Sequence, residues 1–283
     1  MLRRALLVLA SILAASGSFP PASTAAEGPA PSTPAYREAF GPTPRTEAPE
    51  SCLAAVVFLP GVGRSGGADR LSALPLFLLD PDRVLEHAAG VLVEGYPISL
   101  RFFEPPRVFP PGSRFLGVER EGATAVLRVA LEAGTVLGPI AAQAAAHTLA
   151  QFPGVEAAAV AVDGGARGPA VKPDATLLEP PPPPRFLDVA APYHEGEEPR
   201  DIHVLFDRPV AVDAFRLRLD DGTAVPGQAY LHAFDMAVVF RPSQPVTLRE
   251  GLRLQVSWSV TDRAGRVSRE DHTVGLRLYE QHE

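Results

Sequence analysis

The sequence has one cysteine among its 283 residues. Cys52 cannot close an internal disulfide, and it lies too far beyond the N-terminal apolar run to be a lipid-anchored cysteine. At the head of an apolar stretch it reads as a small buried hydrophobe. Positive charge is also short: the net charge is −7, the pI is near 5.6, and no dense Lys/Arg run occurs. A protein that grips nucleic acid non-specifically needs a basic face, so no nucleic-acid partner is expected. Aromatic residues make up 7%, which leaves little for a sugar-stacking platform. After the N-terminus no segment is long and apolar enough to span a membrane.

Proline is abundant instead, with 31 residues concentrated in two stretches. Residues 27–51 lack apolar periodicity and are expected to form a disordered tether. Residues 166–184 read as a second, proline-rich linker. Its five consecutive prolines, Pro180 to Pro184, favour the stiff polyproline II helix. Such a spacer predicts that the parts on either side fold independently. At the N-terminus, Arg3 and Arg4 precede an apolar run from Ala5 to Ala15 and small residues at Ser23 to Ala26. That is the pattern of a signal peptide over 1–26, cleaved near Ala25 or Ala26. An extracytoplasmic location follows, either secreted or associated with the cell envelope. Two folded units are left, 52–165 and 185–283.

In the first unit the run from Cys52 to Leu59 suits a buried strand, and Leu74 to Leu79 a second. Asp80 and Pro81 form a helix start, with the helix running to Glu94 and stopping at Gly95. Two strands flank a turn at Glu121-Gly122. Gly138-Pro139 opens another helix, which ends at Pro153-Gly154 because proline cannot continue it and glycine accepts the left-handed conformation. Along it Ile140, Ala144, His147 and Gln151 fall on one face, with small alanines that allow close approach to a sheet. A last strand runs from Val155 to Val162. This mixture predicts an α/β (α+β) unit.

The second unit alternates with period two: Ile202, Val204 and Phe206; Phe215, Leu217 and Leu219; Met236, Val238 and Phe240; Leu252 through Trp258 to Val260. Turn residues separate these runs. The expectation is an all-β antiparallel sandwich with Trp258 in its core.

Residues able to do chemistry are scattered. Gly61, Gly63 and Gly66 satisfy G-x-G-x-x-G after a strand, but Pro75 interrupts the region where a phosphate-binding helix should run. The seven histidines give no metal-ligand spacing. His194, Glu195, Glu197, Glu198 and Asp201 form an acidic cluster that lacks a calcium-loop pattern, and His203 and His232 are expected on the sandwich surface. Ser65 lacks a nucleophile elbow and Cys52 lacks a base. Glu119 and Glu121 sit at a hairpin turn, and Asp163 is a turn former. No catalytic, cofactor-binding or metal-binding residue is therefore named, and no cofactor is expected.

Residues 108–165 resemble the GerMN domain, a family named from sporulation and germination proteins. The matching positions are Pro111, Gly112, Leu116, Thr148, Leu149, Pro153, Gly154, Val155, Asp163 and Gly164. His147 stands where that family usually has an aromatic residue. The second unit resembles bacterial Ig-like domains of the SbsA type, through Ile202 to Gly227 and Val239 to Val267. The two resemblances imply a non-catalytic cell-envelope scaffold or assembly module linked to sporulation or germination. They also imply envelope or spore proteins as partners, peptidoglycan as a candidate ligand, and room for self-association. A module binding wall polysaccharide or protein is the alternative, and an exported hydrolase the third.

Overall fold

Thr33 and Pro34 start a helix inside the stretch expected to be a tether. The computed structural model describes residues 28–46, 49–62, 67–95, 101–132, 135–165, 167–232 and 234–281, so the signal-peptide assignment lies outside it. Two short strands, β1 (Gly28–Pro29) and β2 (Arg45–Thr46), pair around α1 (Pro34–Phe40). Pro34 occupies the first turn, and the Thr33 hydroxyl accepts the Tyr36 N–H at 3.2 Å. Tyr36 and Phe40, one turn apart, are both buried in the main core. The expected disorder of 27–51 is thus corrected for residues 28–46. A capped turn carrying two aromatics outweighs the proline-rich composition around it.

β3 (Leu53–Pro60) and β4 (Leu71–Leu78) form an antiparallel hairpin that is buried on both faces, which is why neither strand alternates in sequence. One face joins the main core. The other packs Ala55, Leu76 and Leu78 against Ala88 and Phe152. α2 (Val84–Glu94) follows a short 3-10 turn at Pro81–Arg83 and ends at Gly95. Asp80 makes no side-chain cap bond there. β5 (Arg114–Glu121), β6 (Thr124–Ala130) and β7 (Ala157–Val162) make a three-stranded sheet. β5 and β6 are an antiparallel hairpin, and β7 lies parallel to β6 after the crossover helix α3 (Pro139–Leu149). Gly154 at φ +76 closes the return from that helix. A side chain there would meet the Arg120 guanidinium, which donates to the Pro153 carbonyl at 2.6 Å.

The later residues are all strand. β8 (Phe186–Tyr193), β9 (Ile202–Phe206), β11 (Gly227–His232), β12 (Ala237–Pro242) and β15 (Arg277–Glu280) form a sheet in the order β11-β12-β9-β8-β15. β10 (Val210–Leu219), β13 (Arg253–Asp262) and β14 (Val267–Gly275) form a second sheet, β10-β13-β14. Ile202, Val204 and Phe206 face Leu217, Val256, Trp258 and Val260 across one apolar core, as the alternation predicts. Among the described strands of these sheets only β15 pairs parallel, beside β8. Overall the chain is mostly β, with several sheets.

The proline-rich stretch is not a free spacer. Val171 bridges Ala158 and Leu178 bridges Leu71, while Pro181 and Pro184 are buried. The carbonyls of Pro182 and Pro181 accept from Arg208 at 2.7 Å and Arg266 at 3.3 Å. Each proline removes one donor but leaves a carbonyl, and arginines of the C-terminal sheets take two of them.

These sheets also pack directly on the N-terminal part. Phe234 and Asp235 both adopt φ 57, and Met236 then enters the main core instead of joining Val238 in its own sandwich. Phe234 stacks on Phe77, with ring centres 4.6 Å apart. Phe40 lies under two guanidiniums, Arg208 at 5.0 Å and Arg266 at 5.4 Å. Gly41, at φ +78, comes so close to the Arg263 carbonyl that an added methyl would sit 2.8 Å from it. On another side Arg101 donates to buried Asp188 at 2.6 Å and to the Val189 carbonyl at 2.9 Å. Phe102 packs on Phe186, and Phe103 packs on the cluster of Leu187, Leu205, Ala237 and Val239. Three consecutive residues thus fasten one part to the other.

Candidate functional site

Polar residues at the end of α3 and just after it come together on the edge of β3. Gln151 accepts the Val56 N–H at 3.0 Å and donates to the Val56 carbonyl at 2.6 Å, so its amide mimics a neighbouring strand. It also accepts from the Thr33 hydroxyl at 2.9 Å and donates to the Thr148 carbonyl at 2.6 Å. Thr148 accepts the Phe58 N–H at 3.1 Å. The edge is completed by Ala54, which donates to the Pro31 carbonyl at 2.8 Å. Buried backbone groups must be satisfied, and here Thr148 on α3 and Gln151 just after it satisfy them. His147 is 7% exposed, lies 5.2 Å from the Phe58 ring and contacts the Asp174 carbonyl through Nε2 at 3.1 Å. Burial lowers its pKa and favours the neutral ring. Leu149 and Val155 are buried in the main core.

A second buried histidine lies elsewhere. His203 on β9 is 1% exposed, and its ring centre lies 6.4 Å from that of His232 on β11. Its Nδ1 is buried and has no hydrogen-bond partner among the described residues. Burial, and then His232, hold its pKa down to about 4. His203 was expected on the surface, but Leu205 beside it belongs to a cluster that Phe103 covers from the N-terminal part. Asp201, on the same strand face, is held by Arg241 at 2.7 and 2.6 Å and receives the Tyr230 hydroxyl at 3.4 Å. Its carboxylate is occupied, and no group of three acidic, His or Cys side chains among the described residues is placed to hold a metal. His194 to Glu198 form the turn between β8 and β9, where the Glu197 N–H reaches the His194 carbonyl.

The remaining sequence candidates are separate. Gly61 turns the chain after β3, while Gly63, Ser65 and Gly66 lie outside the described residues. β4 returns antiparallel to β3, so no phosphate-binding helix follows. Burial pushes the Cys52 thiol up to about 12, away from nucleophilic use. Glu119 pairs with Arg128 and Glu121 with Arg167. The Asp163 N–H bonds the Val129 carbonyl at the end of its strand.

Sequence reasoning passed over one buried charge network. Arg208, 1% exposed, donates to Asp207 at 2.8 and 2.7 Å and lies 3.6 Å from Asp262. Asp262 also accepts from Arg266 at 2.7 Å. Burial opposes the charge on Arg208, but the two carboxylates outweigh it and its pKa is raised. Asp-Arg recurs at Asp207-Arg208 and Asp262-Arg263, but the sequence gives no sign that these turns meet beneath Phe40.

Among the described residues, a shallow groove of about 460 Å3 crosses β10, β13 and β14, lined by Phe215, Arg216, Ser257, Arg269, Glu270 and Asp271 among others, and another of about 440 Å3 lies by Leu219, Val246 and Leu252.

No family model matches the sequence, and no curated protein is similar to it. Among solved structures the chain has partial likeness to CopC from Methylosinus trichosporium OB3b, at 15% identity. That match covers 35% of this chain and 99% of that one, with a TM-score of 0.25. It also has partial likeness to the tandem GerMN domains of the sporulation protein GerM from Bacillus subtilis, at 14% identity over 68% of this chain and 62% of that one, with a TM-score of 0.33. Likeness at this level carries no functional assignment. No helix among the described residues is long and apolar enough to cross a membrane.

Proposed function

We propose that this chain is an exported, non-catalytic protein of the cell envelope that acts as a rigid scaffold or assembly module. In this reading a GerMN-like unit over 52–165 is joined to an Ig-like unit over 185–283, and a sporulation or germination role comes with the GerMN resemblance. The observation that carries it is the use made of the polar side chains in the best-matched stretch. Thr148 and Gln151 close the edge of β3, and His147 contacts the chain at Asp174, so these groups hold the fold together. The seam built on Phe40, Arg208 and Phe234 suits the same role, because it holds the N-terminal part and the C-terminal sheets against each other.

Envelope proteins cross-linked to the full chain in its native host would test the reading. A reproducible set of extracytoplasmic partners, with the protein starting near Ala25 or Ala26, is the expected result. A cytosolic protein beginning at Met1 would refute it.

A further inference from the structure

The outer face of the five-stranded sheet places a buried imidazole where the N-terminal part covers it. Ile202, Val204 and Phe206 point into the sandwich core, so His203 and Leu205 lie on the opposite face of β9. The register sets His203 beside Val239 of β12 and Ala190 of β8, and Leu205 beside Ala237. Leu187, Leu205, Ala237 and Val239 form the cluster on which Phe103 packs. The Phe102 N–H reaches the Leu187 carbonyl at 3.3 Å, and the Arg185 guanidinium lies 4.7 Å from the Phe103 ring. His203, next to two members of this cluster, is 1% exposed. The charged and titratable groups around it are committed elsewhere. Asp201, two residues earlier on β9, is gripped by Arg241 at 2.7 and 2.6 Å and receives the Tyr230 hydroxyl. Asp188 on β8 is buried and shared between Arg101 at 2.6 Å and Arg277 at 2.8 Å. His232 on β11 adds a second imidazole, with ring centres 6.4 Å apart. The Nδ1 of His203 is buried and has no hydrogen-bond partner among the described residues.

We propose that this side of the seam is an acid-released latch: a proton on His203 makes a buried cation without an acceptor, and the segment from Arg101 to Phe103 lifts from the sheet to let water reach it. A buried charge with no partner is costly, and histidine is the side chain that gains its charge in mild acid. The response is local because the other side of the seam holds no histidine: there Phe40 lies under Arg208 and Arg266, and Phe234 stacks on Phe77. Burial, and then His232, hold the His203 pKa at about 4 in the closed form, against 6.5 for a free ring. The open form therefore takes up the proton that the closed form refuses. The closed latch keeps its full advantage above pH 6.5 and loses it as pH falls towards 4. That interval corresponds to an opening equilibrium raised roughly a hundredfold. The inference goes beyond the scaffold reading and does not depend on where the protein resides.

The test is thiol labelling of the full chain carrying Val239→Cys, using a pyridyl disulfide that reacts in acid, from neutral pH to pH 4. Val239 is 1% exposed in the cluster under Phe103, so its replacement is labelled only when the latch opens. Cys52, buried in the main core, reports unfolding of the N-terminal part in the same sample, and mass spectrometry separates the two sites. Dividing each rate by that of the denatured chain at the same pH removes the chemistry of the thiol itself. Labelling at position 239 should speed up about a hundredfold between neutral pH and pH 4 while Cys52 stays protected. Adding His203→Phe, or His203→Leu as a second apolar replacement, should remove most of that acceleration. Adding His147→Phe, which alters the buried histidine beside Phe58, should leave it intact. A rate at position 239 that ignores pH, Cys52 labelled in step with it, or an acceleration that survives both His203 replacements would overturn the proposal. The measurement uses purified protein, so its failure leaves the scaffold reading and its cross-linking test untouched.

Discussion

Replacing Gln151 by methionine keeps most of the side-chain volume and removes every hydrogen bond the amide makes. The Val56 N–H and carbonyl, on a residue with no exposed surface, then lose the partners that Gln151 supplied. A buried group left unsatisfied costs ~1–3 kcal/mol, so two such groups cost about 3 kcal/mol once some relaxation is allowed. Against a whole-fold stability of ~5–15 kcal/mol this is large. At roughly 2–4 °C per kcal/mol, the melting temperature should fall by roughly 6–12 °C. Gln143→Met, on α3 two turns earlier, is the matched control. Gln143 bonds only exposed backbone, the Lys172 carbonyl at 3.3 Å and the Asp174 N–H at 3.0 Å, which water can replace. Its loss should cost less than ~1 kcal/mol. Scanning calorimetry of both variants decides the matter. Equal, small shifts would refute the claim that a side-chain amide completes the β3 edge. Hydrogen exchange gives a second reading, since the Val56 amide should lose protection in Gln151→Met and keep it in Gln143→Met.

Acid should destabilise the fold through His203. Its pKa is about 4 when folded against 6.5 unfolded, so the unfolded chain takes up a proton that the folded chain refuses as pH falls through this window. Stability present above pH 6.5 should drop by up to about 3 kcal/mol by pH 4, and His203→Phe should flatten that part of a denaturant-measured profile; an unchanged slope would refute the assignment. Phe40→Ala should cost ~3–5 kcal/mol, because it empties a buried site beneath two guanidiniums, and a melting temperature within a degree of the parent would show that the seam does not bear on stability. Residues 185–283 expressed alone should melt well below the intact chain and bind a hydrophobic dye, since Phe234 and Met236 lose their cover; a fragment as stable as the whole would restore the independent-unit picture.

Sequence by itself determined the elements whose signals are local. The alternation in Ile202–Phe206 and Leu252–Val260 reports a strand with one buried face, and it placed Trp258 inside. Gly95 ended α2 because backbone sterics act on the residue itself, whereas α3 stopped at Leu149, ahead of the Pro153-Gly154 end that the sequence suggested. The capped start at Thr33-Pro34, with Tyr36 and Phe40 one turn apart, was equally local, but the prolines around it obscured the pattern. β8, from Phe186 to Tyr193, is buried almost throughout and shows no period-two alternation, so periodicity did not mark it. Tertiary structure alone decided the partners. Gln151 completes a strand 95 residues away, Arg208 and Asp262 meet under Phe40, and Met236 leaves its own sandwich for a distant core. A hydrogen-bond donor or a charge is written in the sequence, but what satisfies it depends on which surfaces the chain brings together. The groove of Arg216, Ser257, Ser259 and Arg269 arises in the same way, because β10 comes beside the β13–β14 hairpin only in the sheet.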